Sequence, residues 1–285
     1  MILVTGATGT VGSEVVRSLA ARGERVRAMT REPSKIVFPG VVDVVRGDFQ
    51  EPGSLAEAVR GAESVFLLSA PGPWVVQHDE AMLAAARSAG VRKVVKVSAI
   101  GTGERAGARV GDWHLPGEEA LRASDLEWAA LRPSSFASNA LGWAPRILAG
   151  EPIPNMSGDG RQGVIDPLDV AEVAVRALTS SEESVRGVLT LTGPELLSVP
   201  DMVKVLEETV GGRALATVAV PLETYREQLL GAGVGADFAE IAVNGARLVA
   251  EGGNARLTGD VELALGRPPR AFRTWAHDHR AAFTG

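Results

Sequence analysis

The sequence predicts an α/β fold: a doubly wound parallel sheet followed by a smaller, mostly helical C-terminal lobe. Three observations carry this. Short apolar runs alternate with stretches of helical period as far as Thr192, the pattern of strand–helix–strand units with right-handed crossovers. The first run, Ile2-Leu3-Val4, is apolar throughout, as a strand buried on both faces requires, and passes without a linker into a glycine-rich turn and a helix. Beyond Gly193-Pro194 the strands fade, and helices joined by glycine-rich turns take over.

The turn is Gly6-Ala7-Thr8-Gly9-Thr10-Val11-Gly12, and the helix after it, Val11 to Ala21, carries Val15, Val16 and Leu19 on one stripe and stops before Gly23. Its G-x-x-G-x-x-G spacing is one residue longer at the first step than the dinucleotide fingerprint. Gly6 permits the tight turn, Gly9 lets the backbone approach a pyrophosphate, and Gly12 lets helix and strand pack closely, so the sheet is Rossmann-like.

The second strand, Arg25 to Met29, runs into Thr30-Arg31, with no acid until Glu32. An NAD site places a carboxylate near this point for the ribose hydroxyl. Arg31 instead offers a planar fork to a 2′-phosphate, which favours NADP(H) over NAD(H); the alternative is a solvated surface arginine. A third strand, Val41 to Arg46, opens into Gly47-Asp48-Phe49 and a helix from Ser54 to Arg60. Asp48 is either an acceptor for an adenine amino group or a turn-former beside Gly47. Ser64 to Leu68 is the fourth strand, ending in Ser69-Ala70-Pro71-Gly72-Pro73-Trp74, where Trp74 covers a ligand or anchors the loop.

A helix from Val75 to Ala89, a fifth strand from Lys93 to Val97, a helix from Gly117 to Ala123 and a sixth strand from Glu127 to Leu131 follow. Asp166 and Pro167 should cap and start a helix that turns Val170, Ala171, Val173, Ala174 and Leu178 inward, with Asp169 complementing its dipole. The seventh strand is Val188 to Thr192. In the lobe, helices span Val199 to Val210, Leu222 to Leu230 and Phe238 to Ala250, with one strand from Ala216 to Val220. Gly158-Asp159-Gly160 reads as a turn and Gly231 to Gly235 as a flexible hinge or loop. The expected division is a cofactor domain over 1–193 and a substrate lobe over 194–285, with 136–165 contributing to the lobe and the substrate pocket between the two.

Composition narrows the function. With no cysteine, disulfides, thiolate nucleophiles and thiolate zinc sites are excluded. A net charge of −6 without a basic run speaks against nucleic acid and for a small-molecule substrate. A strand beginning at Ile2 leaves no room for a signal peptide, and no apolar stretch is long enough to span a bilayer, so the expected address is the cytoplasm, as monomer or homodimer. His277-Asp278-His279 puts its histidines on diverging sides of a helix, so no metal site is expected. No serine–histidine–acid arrangement suggests hydrolysis.

Thr5 to Gly12, Thr30-Arg31, Gly47-Asp48-Phe49, Leu68-Ser69, Val97-Ser98 and Leu131-Arg132-Pro133 together resemble the NmrA-like group of atypical short-chain dehydrogenase/reductases. That group includes NAD(P)H quinone oxidoreductases, triphenylmethane and azo-dye reductases, and catalytically silent NADP-sensing regulators. His114 through Glu118, then Leu131-Arg132-Pro133, Phe136 and Asn139, is similar to its H-x-x-x-E…L-R-P…F…N pattern, and Gly266-Arg267-Pro268-Pro269 with Phe272 and Trp275 to its ending. The resemblance implies that Gly6, Thr8, Gly9, Thr10 and Val11 hold the pyrophosphate, Arg31 the 2′-phosphate, and Asp48 with Phe49 the adenine. It also implies that Leu68, Ser69 and Ala70 border the ribose and nicotinamide, and that Pro133 to Phe136 border the carboxamide.

The Tyr-x-x-x-Lys pair of ordinary short-chain dehydrogenases is missing. By resemblance, Val110 stands where the tyrosine would and His114 near the lysine's place; the one tyrosine, Tyr225, lies far along the chain. Alcohol oxidation thereby loses its base, whereas a quinone or azo acceptor takes hydride readily. The expected activity is NADPH-dependent reduction of a quinone-like or other conjugated aromatic molecule; His114 is either a proton donor near neutral pH or, between Trp113 and Pro116, a residue that caps backbone or packs in the lobe junction. The alternatives are an NADP(H)-sensing regulator acting through a protein partner, and a dehydratase, cyclase or epimerase. Ser98 binds a substrate oxygen or closes the cofactor site, and Trp74, Trp113, Phe136, Asn139, Trp143 and Met156 are candidate pocket walls.

Overall fold

In the first half of the chain, helices and strands alternate: β1 (Ile2–Val4), α1 (Thr10–Ala21), β2 (Val26–Thr30), β3 (Val42–Arg46), α2 (Pro52–Val59), β4 (Ser64–Leu67), α3 (Val75–Ser88), β5 (Lys93–Val97), α4 (Val110–Arg122) and β6 (Glu127–Pro133). The computed structural model describes residues 1–36, 38, 41–104 and 110–285. After β6 come α5 (Ala144–Ala149), β7 (Ile153–Asn155), α6 (Pro167–Thr179) and β8 (Gly187–Leu191). The remainder is α7 (Val199–Thr209), β9 (Thr217–Ala219), α8 (Leu222–Gly231), α9 (Ala236–Ala250), α10 (Asp260–Leu265), α11 (Phe272–Asp278) and α12 (Ala281–Thr284).

Seven strands form one parallel sheet in the order β3-β2-β1-β4-β5-β6-β8. The order reverses between β1 and β4, and ligands of such sheets bind in the crevice that opens beyond the strands' carboxyl ends at that point. Alternation along β1 explains its unbroken apolarity. Ile2 and Val4 join one core with Val15, Val16 and Leu19 of α1 and Val170, Val173 and Ala174 of α6. Leu3 joins the opposite core with Leu55 of α2, Met82 of α3 and Leu121 of α4. Each face buries its own row, so a polar residue at any of the three positions leaves a desolvated group without a partner.

A third core gathers Ile147, Ile153, Leu206, Phe272, Trp275 and Phe283, from segments before α6 and after β8. The chain therefore leaves the sheet after β6 and returns at α6, where Asp166 caps the helix by accepting from Leu168 N at 2.9 Å, as the Asp-Pro pair predicts. Asp169 does more than complement the dipole. It is fully buried and accepts from Arg267 Nη2 at 2.8 Å and from the Arg270 backbone N–H at 2.7 Å. Burial raises its carboxyl above the ordinary range against these donors. Arg270 also donates to Asp166 Oδ2 at 2.7 Å and pairs with Asp278, tying α11 to the start of α6.

Three elements depart from the sequence reading. α4 begins at Val110, not Gly117, and carries Pro116 in its interior; Pro-Gly reads locally as a boundary, but packing of α4 on α3 overrides it. β7 pairs in parallel with β9, so the single strand expected in the lobe has a partner. α10 places Val261 and Ala264 back in the core of the sheet.

Gly12 sets how closely α1 meets β1: a Cβ there would lie 2.1 Å from the Gly6 carbonyl oxygen. Gly12→Ala should therefore destabilise the protein by about 1–3 kcal/mol, read as a lower urea midpoint at unchanged slope. A stability equal to wild type would show that the helix can ride outward freely.

Candidate active site

The turn after β1 is held from both sides. Thr5 Oγ1 donates to the Leu68 carbonyl and accepts from the Leu68 N–H, both at 2.8 Å, stitching the end of β1 to the end of β4. Gly6 has φ +57°, and a Cβ there would press within 2.9 Å of Leu68 O. Gly9 is the N-cap of α1; it has no side chain to cap the helix, and the first turn holds no acid. Thr8, Gly9 and Thr10 are exposed, and Val11 is buried, so Val11 can serve a ligand through its backbone N–H alone. A helix start with free N–H groups, positive dipole end and no competing carboxylate fits a pyrophosphate.

At the end of β2, Arg31 is exposed and makes no hydrogen bond or ion pair with a described residue. The nearest acid, Glu32, is taken by Lys35 Nζ at 2.7 Å. Asp48 builds the turn: Oδ1 accepts from Gln50 N at 3.0 Å and its own N–H donates to Ser54 Oγ at 2.9 Å. Phe49 stacks on His78 of α3, ring centroids 4.6 Å apart and 14° from parallel. Burial holds the His78 imidazole below its ordinary value, against the pull of Asp48.

After β4, Leu68 and Ser69 are half-buried and Ala70 is exposed. Trp74, 45% exposed, donates from Nε1 to Ala70 O at 3.0 Å, the geometry of a loop anchor. Trp113 meets Phe238 of α9 at 6.1 Å between ring centroids, across the boundary with the lobe. Asn139 donates to Ser135 Oγ at 3.3 Å, Phe136 packs on the first core, Trp143 packs into the third, and Met156 is half-buried after β7. A cleft of about 70 Å³ beyond β5 has a different lining: Ile100, Gly101, Glu104 and, from the lobe, Leu248, Asn254 and Arg256. Arg256 bridges it with a two-pronged pair to Glu104, at 2.6 and 2.8 Å.

Glu118 anchors the carboxyl ends of β5 and β6. Fully buried, it receives Arg132 through two bonds of 2.8 and 2.6 Å, Arg122 at 2.8 Å and Ser98 Oγ at 2.6 Å. Burial would raise this carboxyl, yet the bonds from Arg132 and Ser98 and the two guanidinium charges outweigh it and hold it below the ordinary range. Ser98 Oγ also lies 3.1 Å from Thr102 Oγ1, so its hydroxyl is engaged by protein; Pro133 is buried at the end of β6.

His114 lies inside α4 and is only 7% exposed. Its Nδ1 is 3.0 Å from Nζ of Lys96, which also pairs with Asp79 Oδ2 at 2.7 Å. Burial first, and the lysine second, push the imidazole down to about 3. Such burial beside an ammonium disfavours the imidazolium, which weighs against a proton donor near neutral pH and agrees with the packed reading of this histidine. Val110 heads the same helix, but its side chain lies outside the described residues. Lys96 and Asp79 escape a local reading, although a lysine within the apolar run Val94 to Val97 is a signal that a buried cation needs a partner.

A family model described as NAD(P)H-binding matches residues 6–181, beginning at the first glycine of the turn. The chain belongs to that family. It is 35% identical over 99% of both chains to the (4-alkanoyl-5-oxo-2,5-dihydrofuran-3-yl)methyl phosphate reductase of Streptomyces griseus, and 32% identical over 99% of both to the NAD(P)H azoreductase of Xenophilus azovorans. Among solved structures it is similar in fold to the Escherichia coli NADPH-dependent quinone oxidoreductase complexed with NADPH, with TM-score 0.85, 21% identity and coverage of 98% and 99%. Triphenylmethane reductase of Citrobacter sp. with NADP(H) gives TM-score 0.84 at 23% identity, covering 98% of this chain and all of that one. The match bears out the NmrA-like resemblance, and this family member is an NAD(P)H-dependent oxidoreductase of the atypical short-chain type.

Folding strips His114 of a proton that the unfolded chain binds near 6.5, so the unfolded state holds more protons between about pH 3 and 6.5. Stability from this residue is therefore present above that window and lost as pH falls through it. His114→Gln should become steadily less inferior to wild type as pH drops, in urea midpoints measured across the window. A pH-independent difference would overturn the neutral buried imidazole.

Proposed function

We propose that this protein is an NADPH-dependent reductase of electron-poor conjugated small molecules: quinones, azo compounds and enones or related unsaturated carbonyls. The carrying observation is the absence of an available proton donor among the described residues beyond β5. Ser98 and Glu118 are bound to each other, His114 is neutral, and the tyrosine of ordinary short-chain enzymes has no counterpart. Such a site suits an acceptor that takes hydride first and a proton from water afterwards. The two relatives of about one-third identity, named as reductases of a dihydrofuranone phosphate and of azo compounds, support the same class.

Gly6, Thr8, Gly9, Thr10, Val11 and Gly12 would receive the pyrophosphate at the start of α1, Asp48 and Phe49 the adenine end, and Leu68 to Ala70 with Pro133 and Phe136 the ribose and nicotinamide. When bound, the reduced nicotinamide supplies the hydride. The chain's own contribution is to orient the acceptor in the cleft between sheet and lobe and to exclude water around it. Trp113 meets Phe238 of the lobe at the boundary between sheet and lobe. Arg31 is the recognition element for the 2′-phosphate, since it is unpaired among the described residues while Glu32 is engaged by Lys35.

Purified protein should oxidise NADPH in the presence of quinones, azo dyes or enones, followed by the loss of reduced-nicotinamide absorbance; tight binding without turnover on any of these would sink the reductase reading and favour a sensor. Arg31→Ala should raise KM for NADPH about tenfold, the loss of one charge-assisted contact, while leaving KM for NADH unchanged. Equal effects on both cofactors would remove Arg31 from the 2′-phosphate site.

A further inference from the structure

Lys96 is a charged side chain with 1% of its surface exposed. Its ammonium has three partners: Asp79 Oδ2 at 2.7 Å, the Val97 carbonyl at 3.1 Å and His114 Nδ1 at 3.0 Å. An ammonium donates and cannot accept, so Nδ1 must be the accepting nitrogen, and the proton of a neutral ring then sits on Nε2. That Nε2 bonds to no described residue. Nor is it among the described buried polar atoms left without a hydrogen bond, so it is not wholly closed off; Asp79 Oδ2 is one of those atoms, its 2.7 Å contact with Lys96 being an ion pair without hydrogen-bond geometry.

The surroundings are built for this arrangement. Gly117, three residues after His114 on α4, gives room to the Asp79 carboxylate: a Cβ there would come within 2.2 Å of Oδ2. Trp113, next to His114, meets Phe238 of α9, so this part of α4 lies at the boundary between sheet and lobe. Burial and the neighbouring ammonium both disfavour a second proton on the ring.

We propose that Lys96, anchored by Asp79, holds His114 as a neutral imidazole with its proton on Nε2, and that this N–H is the hydrogen-bond donor to the acceptor atom that becomes negative on reduction. The inference rests on the reductase reading for its substrate. Lys96 is the positioning residue and His114 the catalytic one. When a hydride, one proton with two electrons, is added to the conjugated acceptor, its oxygen or nitrogen would take up one negative charge against the Nε2–H. His114 keeps its proton throughout; water supplies the one that completes the product and is left as hydroxide. Unlike an imidazolium, a neutral donor does not need regeneration, and a preorganised one is typically worth about 10²–10³ in kcat.

The test is ¹⁵N NMR of the histidine side chains, with the His114 signals identified by their loss in His114→Gln. The expected spectrum has a protonated Nε2 and a bare Nδ1, unchanged from about pH 5 to 8. Lys96→Met should produce mixed tautomers or titration within that range. Because Lys96→Met strands Asp79, Lys96→Met combined with Asp79→Asn serves if the single variant does not fold. A wild-type proton on Nδ1, a titrating wild-type ring, or an unmoved tautomer without Lys96 would each overturn the positioning role. For the donor, para-nitrophenolate bound to the NADP⁺ complex should bind about tenfold more weakly to His114→Ala, with NADP⁺ affinity unchanged and partial recovery in His114→Gln, whose amide also donates. Equal phenolate affinity in wild type and His114→Ala, or no phenolate binding by wild type, would reject the donor role. Failure of every acceptor assay would instead fall on the reductase reading, since neither of these measurements depends on turnover.

Discussion

The buried carboxylate of Glu118 is the interaction on which the active end of the sheet depends. It draws Ser98 from the end of β5, Arg132 from β6 and Arg122 from its own helix onto one pair of oxygens. A carboxylate with no exposure is costly to desolvate, and removing one partner typically leaves a penalty of about 3–5 kcal/mol rather than the loss of a single bond. The network therefore fixes the seating of α4, and through α4 the placing of His114 one turn earlier. Leu121 and Ala120 of the same helix add apolar contacts to the core on that face of the sheet.

The cofactor end is organised by a different constraint, the near-contact of backbone with backbone. Gly6 and Gly12 let the turn fold under α1 with no side chain intervening, which aims the helix start outward; Gly9 then leaves that start uncapped. The two ends answer different requirements. One keeps polar groups free for a ligand, and the other ties Ser98, Arg122 and Arg132 to a single buried carboxylate.

Legibility in the sequence followed locality. β1, its turn and α1 were readable because neighbours within twelve residues determine their geometry, and the Asp166-Pro167 cap was readable for the same reason. Arg31 and the turn at Asp48 were visible as residues, although the Asx bond of Asp48 is a structural detail. The Asp79–Lys96–His114 cluster was not legible, since its members come from α3, β5 and α4 and meet only when three elements pack. Pro116-Gly117 pointed the wrong way: its local meaning is a helix boundary, and its meaning in the fold is space for a carboxylate. β7 and β9, at three residues each, are too short to show a period.

The path of the chain between sheet and lobe has one more consequence. It leaves after β6, comes back at α6, leaves after β8, comes back at α10 and leaves again for α11 and α12, with Arg267 and Arg270 pinned to Asp169 and Asp166 on the way. Two bodies joined by so many strands of chain have no single hinge. Small sliding, rather than wide swinging about one linker, is the relative motion such a path predicts. Unfolding should accordingly be one cooperative event, in which loss of the lobe's core takes the cofactor platform with it.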